Sequence, residues 1–567
     1  MSIKPNPDTG IPEETRQVAK SAFPKGNVYL WMRDELGELY KDDLFAGLYP
    51  EVGQPALSPG KLGLVTIMQF MEGMSDRQAA DAVRARIDWK YALGMKLNDP
   101  GFDFSVLSEF RRRLARSPEK QVLLDEFLKE LMKRGWLRAR GKQRTDSTHV
   151  LAAIHSMNRL ELVGETMRRA LNEIAEADPE WLQGIAKLEW YPRYAHRMGS
   201  VRLPKKTEER EQLTLEIGMD GFFLMNSLLE ADGKEALWKL PGVEILRQVW
   251  VQQYWMEYVE DHDDDFRLHL RTHDNQPPGD KLISSPYDPE ARYCTKRSTE
   301  WVGYKVVLTE TCDDDLPHII TNVETTLAVE PDVSLTERVH RSLEAKQLLP
   351  ADHLVDAGFI DGELLVQAHD HFGITLCGPV QKDVRWQANQ EEGFGLSYFH
   401  IDWEQRTATC PQGKIARAWT ESKKASYPLF HHIQFKSSDC HPCPVRNRCT
   451  KSKCGSRSLD LLPRPQHEAL QKARQEQKTA EFWKKYAKRS GIEGTLSQGV
   501  RAYDLRCSRY IGMAKTRLQM VVTALSMNIY RLFNWVAECP LAATRTSHFV
   551  RLAPASVSIS GSWRAAG

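Results

Sequence analysis

No stretch of this 567-residue chain approaches the roughly eighteen uninterrupted apolar residues of a membrane-spanning helix, so no membrane span is expected. Its first residues, Met1-Ser-Ile-Lys-Pro-Asn-Pro-Asp8, lack the apolar centre of a secretion signal, which predicts a cytoplasmic protein. A net charge is missing too: 77 Lys and Arg against 76 Asp and Glu leave +1, so the whole-chain balance neither announces nor excludes a polyanionic partner. No internal repeat of fixed period stands out, which argues against solenoids and propellers. Cysteine is sparse, 10 residues in all, which excludes a disulfide scaffold. What is present is an ordinary globular composition, 41% hydrophobic and 27% charged, that disfavours disorder. The length exceeds one core and predicts two or three domains, or one domain with large insertions.

Local charge is far from neutral. Arg111 to Arg144 holds 12 basic against 4 acidic residues, and Gln471 to Arg517 repeats those counts. Acid collects elsewhere, in Glu260-Asp-His-Asp-Asp-Asp265 and Asp313-Asp-Asp315. Any one such run is as readily a solvated helix face, but two equal blocks favour a polyanion. Neutralising about eight phosphates would give log affinity a slope of roughly −7 against log salt.

Residues 1–25 are polar and Pro-containing and read as a flexible arm. Residues 26–140 have helical periodicity: Leu62 to Met71 is strongly apolar, Ser75 caps the next segment, and Phe104 to Leu114 sets Val106, Phe110 and Leu114 on one face, with Arg111, Arg112 and Arg113 largely on others. Short helices with a basic face after a turn suggest a helical DNA-binding domain, with those three arginines as phosphate contacts; a plain helical bundle is the bland alternative. Residues 141–537 alternate between periods. Val302–Thr309 and Ile319–Val329 read as strands, Thr336–Leu348 as a helix, Gly362–Asp370 as a helix and Gly373–Cys377 as a strand. A helical insertion at about 157–280 and a cysteine-rich one at about 383–465 interrupt this pattern, and 538–567 is an Ala/Ser-rich tail expected to be mobile.

Three carboxylates far apart in sequence carry the chemistry. Asp146 lies in Arg144-Thr-Asp-Ser-Thr-His-Val150, which reads as the start of a strand. Asp356 ends the apolar run His353-Leu-Val-Asp356 before Ala-Gly, the look of a strand's C-terminal tip. Glu493 follows the basic stretch Tyr486-Ala-Lys-Arg489-Ser-Gly-Ile492. Acids gathered in one place repel one another, and a fold that keeps them usually needs divalent cations, as two-metal phosphoryl-transfer sites do. A turn or cap residue is the ordinary reading of any one such Asp. His149, three residues past Asp146 on one strand, would face the other way and stays outside the site.

These fragments, in this order, resemble a DDE transposase of a bacterial insertion sequence, most closely the eleven-eighty-two insertion-sequence family. The resemblance covers about residues 25–537. It rests on the leader from Ser58-Pro-Gly-Lys61 to Arg113, on Thr145-Asp-Ser-Thr-His149, on Ser285-Pro-Tyr-Asp-Pro-Glu-Ala-Arg292 followed by Trp301-Val-Gly-Tyr-Lys305, on Leu354-Val-Asp-Ala-Gly-Phe-Ile-Asp361, and on Glu493-Gly-Thr-Leu-Ser-Gln498. It implies an α/β, RNase H-like mixed sheet with flanking helices. It also implies catalytic Asp146, Asp356 and Glu493 holding two Mg²⁺ (or Mn²⁺) ions, with strand cleavage and strand transfer at the element's terminal inverted repeats. Double-stranded DNA would be the partner, bound by a homodimer or larger assembly in the nucleoid. Related transposases carry Tyr-x2-Arg-x3-Glu-x6-Lys in the last catalytic helix. Tyr486, Arg489 and Glu493 fit, on one helical face, as DNA-backbone holder, phosphate clamp and ligand; the lysine falls on Val500, with Arg501 as a neighbouring substitute. A nuclease of the same fold without strand transfer, and a regulator derived from a transposase, are the competing readings.

Five cysteines fall between 410 and 454. Cys440-His-Pro-Cys443 with Cys410 and Cys449 suits a structural Zn²⁺, with Cys454 or His441 as substitutes and neighbouring Lys and Arg favouring thiolates. An iron–sulfur cluster, or reduced cysteines without metal, remain alternatives.

Overall fold

The computed structural model describes residues 3, 10–117, 121–154, 157–200, 203–258, 266–272, 274–296, 298–383, 385–390, 393–422, 429–452, 455–539, 552 and 554. The acidic run 260–265, Cys454 and nearly all of the Ala/Ser-rich tail lie outside the described residues.

At the centre is a six-stranded sheet built on β1 (Lys142–Leu151). The Tyr254–Tyr258 and Phe266–Leu270 strands, β2 and β3, form a separate hairpin. β4 (Arg292–Lys296), β5 (Thr299–Thr311) and β6 (Ile320–Leu327) follow in the sheet, then β7 (Asp352–Val355) and β8 (Thr375–Cys377). β1 runs antiparallel to β5 and parallel to β7, and β7 is parallel to β8. β5 pairs twice on its other edge, with β4 up to Gly303 and with β6 from Tyr304. At that changeover only glycine fits, since a Cβ on Gly303 would lie 2.1 Å from the Val150 carbonyl oxygen. The order and directions agree with the RNase H-like core that the resemblance implies.

β5 is buried on both faces, as its Val306-Val-Leu308 run requires, because helices cover both sides of the sheet. On one face Val307, Val355, Phe359 and Leu364 pack with Leu335 of the Val333–Ala345 helix. On the other, Val306, Leu308 and Val323 belong to a large core shared with Val65, Met68, Phe110 and Phe127 of the N-terminal helices. The Met513–Val536 helix is the hub, packing on the Pro59–Met71, Ser105–Arg116 and Val122–Lys133 helices and on β6. The N-terminal helices thus share their core with the sheet.

The insertion after β1 has its own core, where Val163, Ile217, Leu246 and Trp250 meet. Its helices Arg159–Ala177, Thr207–Glu230 and Pro241–Gln253 lead into the β2–β3 hairpin, which helical periodicity did not anticipate. The segment after β8 forms short strands around Phe399, Ala408, Ile433 and Leu459.

Two expectations need correction. The arm to residue 25 contains the Glu13–Ala22 helix, anchored by buried Ala19 and by Thr15, whose hydroxyl donates to the Met95 carbonyl at 2.8 Å. Asp146 stands within β1, not at its start. Polar residues extend the strand backwards because each has a buried partner: Gln143 donates to the Leu348 carbonyl and accepts from the Thr321 hydroxyl, and Arg144 donates to Glu310.

Candidate active site

Asp146 projects from β1 and Asp356 stands immediately past the end of β7, the parallel neighbour of β1. Glu493 lies in the first turn of the Gly491–Tyr503 helix, which packs across β1. All three acids meet one guanidinium. Arg489 Nη2 is 2.6 Å from Asp146 Oδ2 and 3.9 Å from Asp356 Oδ2, and its Nη1 is 2.8 Å from Glu493 Oε1. The group is graded in exposure: the side chains of Arg489 and Asp146 are 11% and 15% exposed, those of Asp356 and Glu493 51% and 64%.

Local structure fixes each acid. Asp146 Oδ1 accepts from the Ser147 amide at 2.8 Å and Asp356 Oδ1 from the Ala357 amide at 2.6 Å, capping a short 3₁₀ turn. Burial pushes the Asp146 carboxyl above its ordinary value; Arg489 opposes the shift and Asp356 adds to it. Tyr486 belongs to the same field, and burial pushes its phenol up to about 12, so it stays a neutral donor. It ends the Ala480–Tyr486 helix and stacks on Phe482. A 3₁₀ segment, Ala487–Ser490, separates it from the Gly491–Tyr503 helix, so the spacing is kept across two helices, not within one.

Behind β1, the Thr145 hydroxyl is 2.7 Å from that of Thr309 and 2.6 Å from His353 Nε2, and His353 Nδ1 is 2.9 Å from His340 Nε2. Burial holds both imidazoles neutral, His340 down to about 4 and His353 well below its ordinary range. Asp332 sits beside Ser147, 2.7 Å from the Lys305 ammonium. His149, as read, lies off the site, packed on Trp301.

The remaining basic candidates are dispersed. Arg111 is buried and engaged with Asp76 at 2.5 Å and Gln69 at 3.2 Å, so it does not lie on an open basic face. Arg112 and Arg113 both bond Glu109 on their own helix, and Arg113 also donates to the Leu48 carbonyl. Arg501 is exposed in the last turn of the Gly491–Tyr503 helix, while Val500 packs against the core. Both basic blocks are partly neutralised by acids outside their own windows: Arg138 pairs with Asp313 and Asp315, and Lys488 with Asp314.

Cys410, Cys440, Cys443 and Cys449 line one cavity with Phe394 and Phe435. All four are free thiols. Burial pushes the Cys449 thiol up to about 11 despite Arg457, so nearby cations do not by themselves produce the expected thiolate. Among the described residues no group of three His, Cys, Asp or Glu side chains is gathered as a ready metal cage, here or at the carboxylates.

A family model described as Transposase DDE domain matches residues 409–533, a span that includes the cysteine region, Arg489 and Glu493. A second, described as Transposase domain (DUF772), matches residues 18–113, the N-terminal helices through Arg113. No curated protein and no solved structure matches the chain.

Proposed function

Because the chain is a transposase of the DDE type, an enzyme that cuts DNA, we propose that Asp146, Asp356 and Glu493 are its catalytic carboxylates, cleaving and transferring strands at the terminal inverted repeats of an insertion sequence. The observation that carries this assignment is the convergence of all three on the Arg489 guanidinium. Acids from three distant segments around one positive charge make a site suited to cations.

The residues fit Mg²⁺ or Mn²⁺. Every donor is a carboxylate oxygen, and the exposure of Asp356 and Glu493 leaves room for water and phosphate. Arg489 Nε is buried with no hydrogen-bond partner among the described residues, which marks the guanidinium as an incompletely satisfied occupant. Asp146 would be shared by two ions, with Asp356 and Glu493 each serving one. When bound, the pair supplies a charged clamp on the attacking and leaving oxygens of an in-line displacement. The chain's own groups position the DNA. Tyr486 donates a hydrogen bond from its phenolic O–H to a backbone phosphate, and Arg489, once free of the acids, takes a phosphate as its new partner.

Double-stranded DNA, both element ends and target, is the substrate, engaged by a homodimer or larger assembly. Among the basic groups, Arg112 and Arg501 suit phosphate contact, whereas Arg111 and Arg113 hold their helix in place. Membership of the eleven-eighty-two family is part of the same proposal. So is a structural Zn²⁺ on Cys410, Cys440, Cys443 and Cys449: four soft donors around one cavity are the set that ion prefers.

The test is metal-dependent nicking and joining of a labelled element end. Cutting that disappears in Asp356→Ala supports the assignment, and cutting that persists removes it. Binding without cutting would favour a regulator, and cutting without joining a nuclease.

A further inference from the structure

Behind the three carboxylates, and touching none of them, lies a fourth acid that is completely buried. Glu310, near the end of β5, is 0% exposed and occupies the face of the sheet where the Gly491–Tyr503 helix crosses β1. Three hydrogen bonds to its carboxylate and their relays join β1, the Ala487–Ser490 segment and the Gly491–Tyr503 helix. Oε1 accepts from Arg144 Nε of β1 at 2.7 Å. Oε2 accepts from the Thr495 hydroxyl, two residues past Glu493, and from Arg531 Nη1 of the Met513–Val536 helix, each at 2.7 Å. Arg144, two residues before Asp146, also reaches forward, its Nη1 donating to the Lys488 carbonyl at 2.6 Å, next to Arg489. Arg531 closes the ring on Thr495 at 2.8 Å and on Gln498 at 2.9 Å.

The sequence is shaped around this ring. A Cβ on Gly491 would lie 2.0 Å from Arg144 Nη1, so only glycine lets the helix start where the guanidinium stands. Burial opposes the Glu310 charge, yet Arg531 and Arg144 together hold its carboxyl below the ordinary range. A buried acid shared by two arginines is costly to leave unpaired, so it fixes its partners in register.

On the reading of Asp146, Asp356 and Glu493 given above, we infer that Glu310 is a positioning residue of the active site: with Arg144, Arg531 and Thr495 it sets the 3₁₀ segment bearing Arg489 and the helix bearing Glu493 at a fixed height over Asp146. Catalytic groups displaced by about 1 Å can lose roughly a hundredfold in rate, which gives such a clasp a function separate from stability.

The experiment compares the full-length chain with Glu310→Gln, Thr495→Val and Thr495→Ser. Hydrogen exchange over residues 487–503, Mn²⁺ titration and cleavage of a labelled element end are measured on each. Thr495→Val removes only the hydroxyl link and nearly preserves volume, so it serves even if Glu310→Gln fails to fold. Expected are faster exchange confined to 487–503, weaker Mn²⁺ binding, a cleavage rate lowered by about tenfold to a hundredfold at saturating DNA with unchanged DNA affinity, and recovery in Thr495→Ser, which keeps the hydroxyl. Wild-type protection over 487–503 together with wild-type Mn²⁺ affinity in Thr495→Val overturns the inference. If the wild-type chain neither takes up Mn²⁺ nor cuts, while Thr495→Val still loosens 487–503, the catalytic reading fails and the clasp stands as a purely structural one.

Discussion

Arg489 Nη2 approaches Asp146 Oδ2 to 2.6 Å, so the most buried acid of the site is neutralised by a residue four positions before another of its acids, Glu493. The contact makes Arg489 a resident counter-ion. Arg489→Gln removes it, and in metal-free buffer the mostly buried Asp146 charge is left uncompensated, at about 3 kcal/mol of stability. Mg²⁺ or Mn²⁺ then restores more melting temperature in the variant than in the wild type. Equal metal-induced shifts in the two would refute the counter-ion role.

On the proposed assignment, the same pair would set the acid limb of the reaction. Burial raises the Asp146 carboxyl and Arg489 pulls it back. Since ionised Asp146 is the form that would hold a cation, cleavage is expected to fall as pH drops through a value above the ordinary aspartate range. In Arg489→Gln that limb moves to still higher pH. The stability linkage has the opposite sense: a raised carboxyl stabilises the fold below its unfolded value, and this contribution is lost as pH rises through the folded value. Metal-free protein therefore carries its greatest electrostatic cost at neutral pH. A pH–rate profile in the two proteins checks the direction.

Gly491→Ala places a methyl group where Arg144 lies. Either the guanidinium leaves Glu310 and the Lys488 carbonyl, or the helix start shifts. Both outcomes predict loss of cleavage and about 2–4 kcal/mol of destabilisation. Gly494→Ala, one turn on and with open space around it, should be neutral or mildly stabilising. Similar melting temperatures for the two variants would contradict the packing.

His340 and His353, buried and neutral, give the fold an acid sensitivity distinct from that of the carboxylates. The unfolded chain binds protons on both at about 6.5, and the folded chain resists, His340 down to about 4. Stability is thus full above the unfolded value and drains as pH falls below it, by roughly 3 kcal/mol for His340 alone when complete. Melting temperature followed from pH 7 to about 4.5 should fall, and His340→Gln should flatten the slope. A slope unchanged in that variant would place the sensitivity elsewhere.

If Cys410, Cys440, Cys443 and Cys449 hold zinc, the purified chain contains about one equivalent per molecule and Cys443→Ser loses it. Metal analysis decides this directly, and a zinc-free wild type that retains its full melting temperature leaves the four as reduced thiols.

The sequence by itself determined the order of β1, β5, β6, β7 and β8 with the helices between the last three, because alternating and helical periodicities are local properties. It also brought Asp146, Asp356 and Glu493 into one hypothesis, because each carries a recognisable local context. The helix at Glu13–Ala22 and the β2–β3 hairpin escaped that reading, since their apolar positions find partners only in the folded molecule. Only the tertiary structure decided what Arg489 and Arg111 touch. Counted along the chain, both looked available to phosphate; folded, the first is enclosed by three acids and the second bonds Asp76. Glu310 was invisible for the same reason. A glutamate after Val-Val-Leu-Thr reads as a strand end, and its value comes from Arg144, Thr495 and Arg531, separated from it by 166, 185 and 221 residues. Charge acts through distance in space, and only the fold sets that distance.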